Sequence, residues 1–118
     1  MRGKLVARAD LEAAPLTELA ALDDAAFRKR FAGGPIKRIG FERFRRNVMI
    51  AIGNSGDREL IDAAEGGLDS NSPVVRGAAV WALGRLCGPE EGRALARRRA
   101  AHEIDADVIA EWRDAFPR

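Results

Sequence analysis

The side chains best placed to do chemistry in this sequence are cations. Eight of them fall between Arg28 and Arg46, namely Arg28, Lys29, Arg30, Lys37, Arg38, Arg43, Arg45 and Arg46, with Glu42 as the only acid among them. That segment carries +7, the other 99 residues sum to −5, and the whole chain reaches only +2. So uneven a distribution predicts one basic face that meets a polyanion while the rest keeps the chain in solution. The competing possibility is a set of intramolecular pairs with acidic helices, although exposed pairs add little stability. A second run, Arg97-Arg98-Arg99, spreads around a helix surface and reads as a solvated face.

Other chemistry is poorly provided for. The chain has one cysteine and one histidine, so it offers no internal disulfide, no cysteine cage for a metal or cluster, and no His-rich metal site. Cys87 reads as a small buried residue at a helix end, and His102 as a capping or solvent-facing one. Asp23-Asp24 and Glu90-Glu91 suit helix starts. Zinc-finger, KH and RNP signatures are absent, and aromatics are scarce at 6%. A basic face without stacking residues suits a folded RNA, gripped through shape and phosphates more than through bases.

The elements that must carry these residues are helices: alanine is abundant, tyrosine is absent and β-branched runs are rare. We expect about six. The first covers roughly residues 15–22, and the second starts at Asp23 or Asp24 and carries Phe27 and Phe31 before Gly33-Gly34-Pro35 ends it. Lys37 and Arg38 then sit in a connector, where a turn could present backbone N–H groups beside the two cations. In the third helix Phe41, Phe44, Val48 and Ile52 form an apolar stripe, so Arg43 and Arg46 point away from the core. Asn54-Ser55-Gly56 closes it, and Asp57 caps a fourth helix presenting Leu60, Ile61, Ala64 and Leu68. Ser72-Pro73 is an N-cap and first-turn pair for the fifth, which runs to about Leu86. One more helix and a short terminal one follow, the latter with Ile109, Trp112 and Phe116 on one face.

The third and fifth helices superpose at an offset of 31, so that 48–53 (VMIAIG) matches 79–84 (AVWALG) and Arg45 falls on Arg76. Helix pairs repeated in this way build α-solenoids. The stretch DSNSPVVRGAAVWALGRLCGPEE resembles a HEAT-type repeat, and the fifth helix, apolar nearly all round, needs cover on two sides. The expected fold is an all-α HEAT-type solenoid over residues 15–118, after a tail at 1–14 that reads as interdomain; an ordinary helical bundle is the alternative. At 118 residues, 47% apolar and 32% charged, the chain fits one globular domain. Neither a secretory leader nor an apolar run of about 18 to 20 residues is present, which suggests a cytoplasmic address and no membrane partner.

The segment LDDAAFRKRFAGGPIKRIGFERFRRNVMIAIGNSGD, followed by the HEAT-like stretch, resembles the C-terminal region of epoxyqueuosine reductases. Phe27 and Phe31, then Gly33 with Pro35-Ile36-Lys37-Arg38, then Arg46-Asn47 and Gly53-Asn54-Ser55-Gly56-Asp57 supply its motifs in order. Gly34 stands where the family has serine, which removes a hydroxyl contact or cap. The resemblance implies a module that helps hold the anticodon region of tRNA, while the family's cobalamin and two [4Fe–4S] clusters belong to other parts, absent here. By resemblance Lys37, Arg38, Arg43 and Arg46 touch phosphates. Asn47 and Asn54 add polar contacts or cap turns, turn stabilisation being favoured for Asn54. This chain by itself is then expected to be non-catalytic, with tRNA and the missing catalytic domain as partners. A free-standing HEAT-repeat scaffold that binds a protein is the rival expectation, since a repeat fold does not by itself fix function.

Overall fold

The computed structural model describes residues 15–117; the tail expected at 1–14 lies outside them. Among the described residues every regular element is helical: α1 Leu16–Ala20, α2 Asp24–Arg30, α3 Pro35–Ile39, α4 Phe41–Ser55, α5 Ile61–Gly66, α6 Pro73–Leu86, α7 Pro89–Arg99 and α8 Ala106–Ala115. Short 3₁₀ turns, Arg58–Leu60 and Gly67–Asp69, flank α5, and Ala100–His102 follows α7. Among the described residues no helix is long and apolar enough to cross a membrane.

Local chemistry sets the boundaries. Asp23 accepts from Ala26 N at 2.8 Å and so caps α2. Ser72 accepts from Val75 N ahead of Pro73 at the start of α6, and Asp105 does the same for α8 through Asp107 N and Val108 N. Gly56, at φ 69, ends α4 in the left-handed region. Around that turn Ser55 supplies the hydrogen bonds, donating to Ile52 O at 2.6 Å and accepting from Asp57 N at 3.0 Å. The turn role expected of Asn54 therefore falls to its neighbour.

Among the described residues eight α-helices stand where about six were expected, and one of them lies in a segment that shows no period. Residues 35–39 form a helix instead of an open connector. Gly33 turns the chain at φ 78, Gly34 is an N-cap without a side chain, Pro35 occupies the first turn, and Gly40 at φ 88 ends it. A serine at 34 would cap α3, whereas glycine leaves the fold unchanged.

The inner layer is α4, α6 and α8 side by side, with α6 in the middle, packed on α4 and α8 and covered by α5. The outer layer is α1 against α4 and α5, with α7 beyond; Arg99 of α7 reaches Glu65 of α5 at 3.3 Å and Asp69 at 2.6 Å. The core is one continuous cluster that includes Leu19, Phe27, Phe44, Val48, Met49, Ile52, Val75, Val80, Leu83 and Val108, each at most 1% exposed. On α8 the buried stripe is Val108 and Trp112, with Phe116 partly buried against it, and Ile109 sits beside the core. Trp112 and Phe116 of the expected face hold, and Val108 takes the place expected of Ile109.

That correction reveals a third repeat unit. Ser72, Val75, Ala79 and Leu83 of the α6 unit correspond at an offset of 33 to Asp105, Val108, Trp112 and Phe116. Glycines set the spacing between units. A Cβ on Gly53 would lie 2.5 Å from the Trp81 ring and 3.0 Å from Ala82 Cα, and one on Gly84 would lie 2.8 Å from Ala115 Cβ. The ring could swing away, but the Ala82 backbone could not. Gly53→Ala is therefore expected to cost about 1–3 kcal/mol as overpacking, lowering the thermal midpoint by ~4–8 °C per kcal/mol. Gly66→Ala, with open space around its new Cβ, is expected to be neutral or mildly stabilising. Equal melting temperatures for the two variants would remove the spacing role of Gly53.

Candidate nucleic-acid interface

The basic segment occupies one end of the solenoid, on α2, α3 and α4. Its seat is a cluster of four phenylalanines. The Phe27 ring lies 4.7 Å from Phe44, 5.5 Å from Phe31 and 5.6 Å from Phe41, centroid to centroid, and Phe31 lies 5.3 Å from Phe44. Ile36 of α3 is buried in the same core. These contacts anchor the apolar sides of α2 and α3 on α4, so the polar sides must face out.

Lys37, Arg38, Arg43, Arg46 and Asn47 are all exposed. On α4, Arg46 and Asn47 stand three and four residues after Arg43, hence on the same face. Lys37 and Arg38 lie on α3, separated from α4 by Gly40 alone. They are displayed by a helix, not by the open turn expected for them. Gly40 gives α4 no side-chain cap, so the positive end of a 15-residue helix adds to the field there.

The cations of this surface are mostly unpaired. Within the basic segment Arg28 pairs with Asp24 at 3.2 Å and Arg30 pairs with Glu18 of α1. Among the described residues Lys29, Lys37, Arg38, Arg43 and Arg46 have no carboxylate within ion-pair distance. Glu42, the one acid of the segment, accepts from the Ser72 hydroxyl. Elsewhere several arginines tie the fold together, although Arg93, Arg97 and Arg113 are exposed and likewise have no carboxylate within ion-pair distance among the described residues. Arg58 reaches Glu91 at 2.9 Å and Leu86 O at 2.9 Å, and Arg76 reaches Glu103. Arg99, expected on a solvated face, is 28% exposed and bridges Glu65 and Asp69.

Two further features escaped the sequence. Arg45, on the third side of α4, is half-buried, its guanidinium 5.7 Å from the Phe41 ring centroid, and burial pulls its pKa below the ordinary arginine value. The inner helices also enclose a groove floored by Ile50, Val74, Ala78 and Trp81, with Arg46 at one side and Asp107 and Glu111 at the other. The two carboxylates give that groove a charge unfavourable to a phosphate backbone, unlike the α2–α4 end. Trp81 could not be assigned there from periodicity, because α6 is apolar on nearly every side.

Neither Cys87 nor His102 forms a site. Cys87 follows α6, half-buried, its thiol pushed up first by burial and then by the Glu91 carboxylate. His102 is exposed in the turn after α7. An iron–sulfur cluster requires several thiolates, and a chain with one cysteine does not fit one.

Comparison with known proteins gives the same fold and a more specific likeness. HEAT repeats match over residues 37–115. Epoxyqueuosine reductase from Xanthomonas campestris is 41% identical over 78 residues, covering 65% of this chain and 22% of that protein. The same enzyme from Alicycliphilus denitrificans is 42% identical over 86 residues (65% and 24%), and that from Pseudomonas aeruginosa 32% over 85 residues (71% and 24%). The chain thus spans less than a quarter of the length of these relatives. No solved structure matches it significantly. Three stacked helical units, glycines at the unit contacts and the match across 37–115 lead to one assignment: the chain belongs to the HEAT-repeat family, in a form similar to a segment of epoxyqueuosine reductases.

Proposed function

We propose that this chain is the tRNA-gripping module of an epoxyqueuosine reductase-type protein, acting in the cytoplasm through RNA contact and not through chemistry of its own. The observation that carries this is the concentration of the exposed cations Lys37, Arg38, Arg43 and Arg46 on two helices joined by Gly40 alone, left without acid partners among the described residues. Cations that do not stabilise their own fold are available to phosphates, and a basic helical end without stacking aromatics suits a folded backbone. Asn47, beside Arg46, adds a polar contact to the same surface. The resemblance supports tRNA of the queuosine-accepting class as the partner, with the cobalamin and cluster chemistry proposed to lie outside these residues.

Binding of an unmodified tRNA transcript with a GUN anticodon, followed across a series of salt concentrations, tests this. With about four phosphate contacts, log K is expected to fall with log salt at a slope of roughly −3 to −4. Lys37→Ala/Arg38→Ala and Arg43→Ala/Arg46→Ala are each expected to flatten it by roughly one to two. Binding that ignores salt and both double variants would sink the RNA role. One observation favours the rival, a protein-binding scaffold: the groove between the inner helices has Val74 49% exposed beside Trp81. If the basic variants have no effect, that groove becomes the leading interaction surface.

A further inference from the structure

The HEAT units repeat an arginine, but they do not repeat its partner. Arg76 of the second unit makes a two-pronged pair with Glu103, Nε to Oε1 and Nη2 to Oε2, both at 3.0 Å, and donates Nη1 to Ser70 O at 2.9 Å. Glu103 precedes the α8 N-cap by two residues, and its carboxylate also accepts from Asp105 N at 3.0 Å. The equivalent position before α6 is Ser70, two residues ahead of the Ser72 N-cap. Ser70 Oγ accepts from Ser72 N at the same 3.0 Å. Ser70 thus reproduces the backbone bond of Glu103, but it offers no carboxylate.

Arg45, which occupies in α4 the place of Arg76 in α6, is therefore left without its acid. Among the described residues its Nε is the one buried side-chain polar atom with no hydrogen-bond partner. The nearest acid in sequence, Glu42, is held by the Ser72 hydroxyl. A half-buried cation lacking a counter-charge is costly in the free protein, and an arriving anion relieves that cost. Arg45 also stands between Arg43 and Arg46 in sequence, in the segment that carries the exposed cations.

We infer that Arg45 is a phosphate-binding residue of the RNA surface, its guanidinium released for an external phosphate diester because Ser70 replaces the acid that the next unit uses to hold Arg76. This rests on the RNA reading above and deepens it. The solenoid's own interlocking arginine is left without an acid in its first unit, while the second unit keeps it as an internal tie. Arginine suits both uses, since its planar fork matches a carboxylate and a phosphate alike.

The test supplies the missing acid. Ser70→Glu is expected to capture Arg45, raising the thermal midpoint by several degrees and weakening tRNA binding about three- to ten-fold near 150 mM salt. Arg45→Gln is expected to weaken binding to a similar extent and to flatten the salt slope by roughly one. In the Arg45→Gln background Ser70→Glu should have little further effect on either quantity, a coupling that general repulsion by an added carboxylate does not produce. If wild type binds tRNA with the expected salt slope but Arg45→Gln binds equally well, the inference is overturned and the RNA reading stands. If Ser70→Glu weakens binding equally in both backgrounds, the inference is overturned as well. Absence of salt-sensitive binding in the wild type overturns both.

Discussion

Phe27→Ala is expected to cost about 3–5 kcal/mol of stability, as large-to-small changes of buried aromatics do, and to abolish most of the RNA affinity as well. The residue is 1% exposed and its ring touches three other phenylalanines from α2 and α4. Removing it empties the centre of the cluster and forfeits aromatic contacts each worth about 0.5–1.5 kcal/mol beyond area. The loss is local in structure. α2 and α3 rest on α4 through this cluster and Ile36, whereas α6, α7 and α8 hold together through Leu83, Leu95, Val108 and Trp112 at the other end. Far-ultraviolet circular dichroism at low temperature should therefore retain most of the helix signal while the salt-dependent component of tRNA binding falls. Phe27→Leu, which keeps most of the volume, should lose less than half as much stability and recover most of the affinity. A Phe27→Ala protein that melts earlier but binds tRNA normally at low temperature would show that the cluster does not position the cations.

That coupling of an apolar cluster to a charged surface was legible in part. The stripe Phe44, Val48, Ile52 has helical spacing, so the outward direction of Arg43 and Arg46 followed from geometry alone, and both are exposed. Ser72-Pro73 and Gly56 mark boundaries through local chemistry that needs no tertiary context. What escaped depends on partners distant in sequence. A five-residue helix such as α3 is too short to show a period, and its flanking glycines read as a loop. The buried face of α8 is set by its packing on α6, where Gly84 admits Ala115 to close approach, and Val108 takes the place of Ile109. Because Ala79 and Trp112 share a position but not a size, the third unit left no visible repeat. Arg45 and Arg76 look alike in sequence, and only the residue some 25 to 27 positions later separates their roles. Likewise the sequence places Arg99 on a solvated face, and only the fold brings it Glu65 from α5 and Asp69 from the turn after it.

Breaking the Arg76–Glu103 pair is the second change with a large expected effect, and its pH dependence gives it a signature. The two side chains are 17% and 7% exposed, so Glu103→Gln leaves a largely buried guanidinium without its counter-charge, at a cost of about 3–5 kcal/mol. Replacing both residues with apolar side chains should cost less than the single change, because no orphaned charge remains. In the folded chain burial pushes the Glu103 carboxyl up. The hydrogen bonds from Arg76, Asp105 N and Ile104 N outweigh burial and hold it below the usual carboxylate range. A depressed folded pKa means that the contribution is fully present above the unfolded value, about 4.3 for glutamate. It is lost as pH falls from there through the lower folded value. Arg76 is shifted upward, so its side of the pair does not titrate in the acid range. Urea midpoints measured from pH 7 down to pH 3 should therefore decline more steeply below about pH 4.3 in the wild type than in Glu103→Gln, and the two curves should converge in acid. Parallel curves across that window would mean that the pair contributes through packing and not through the ionised carboxylate.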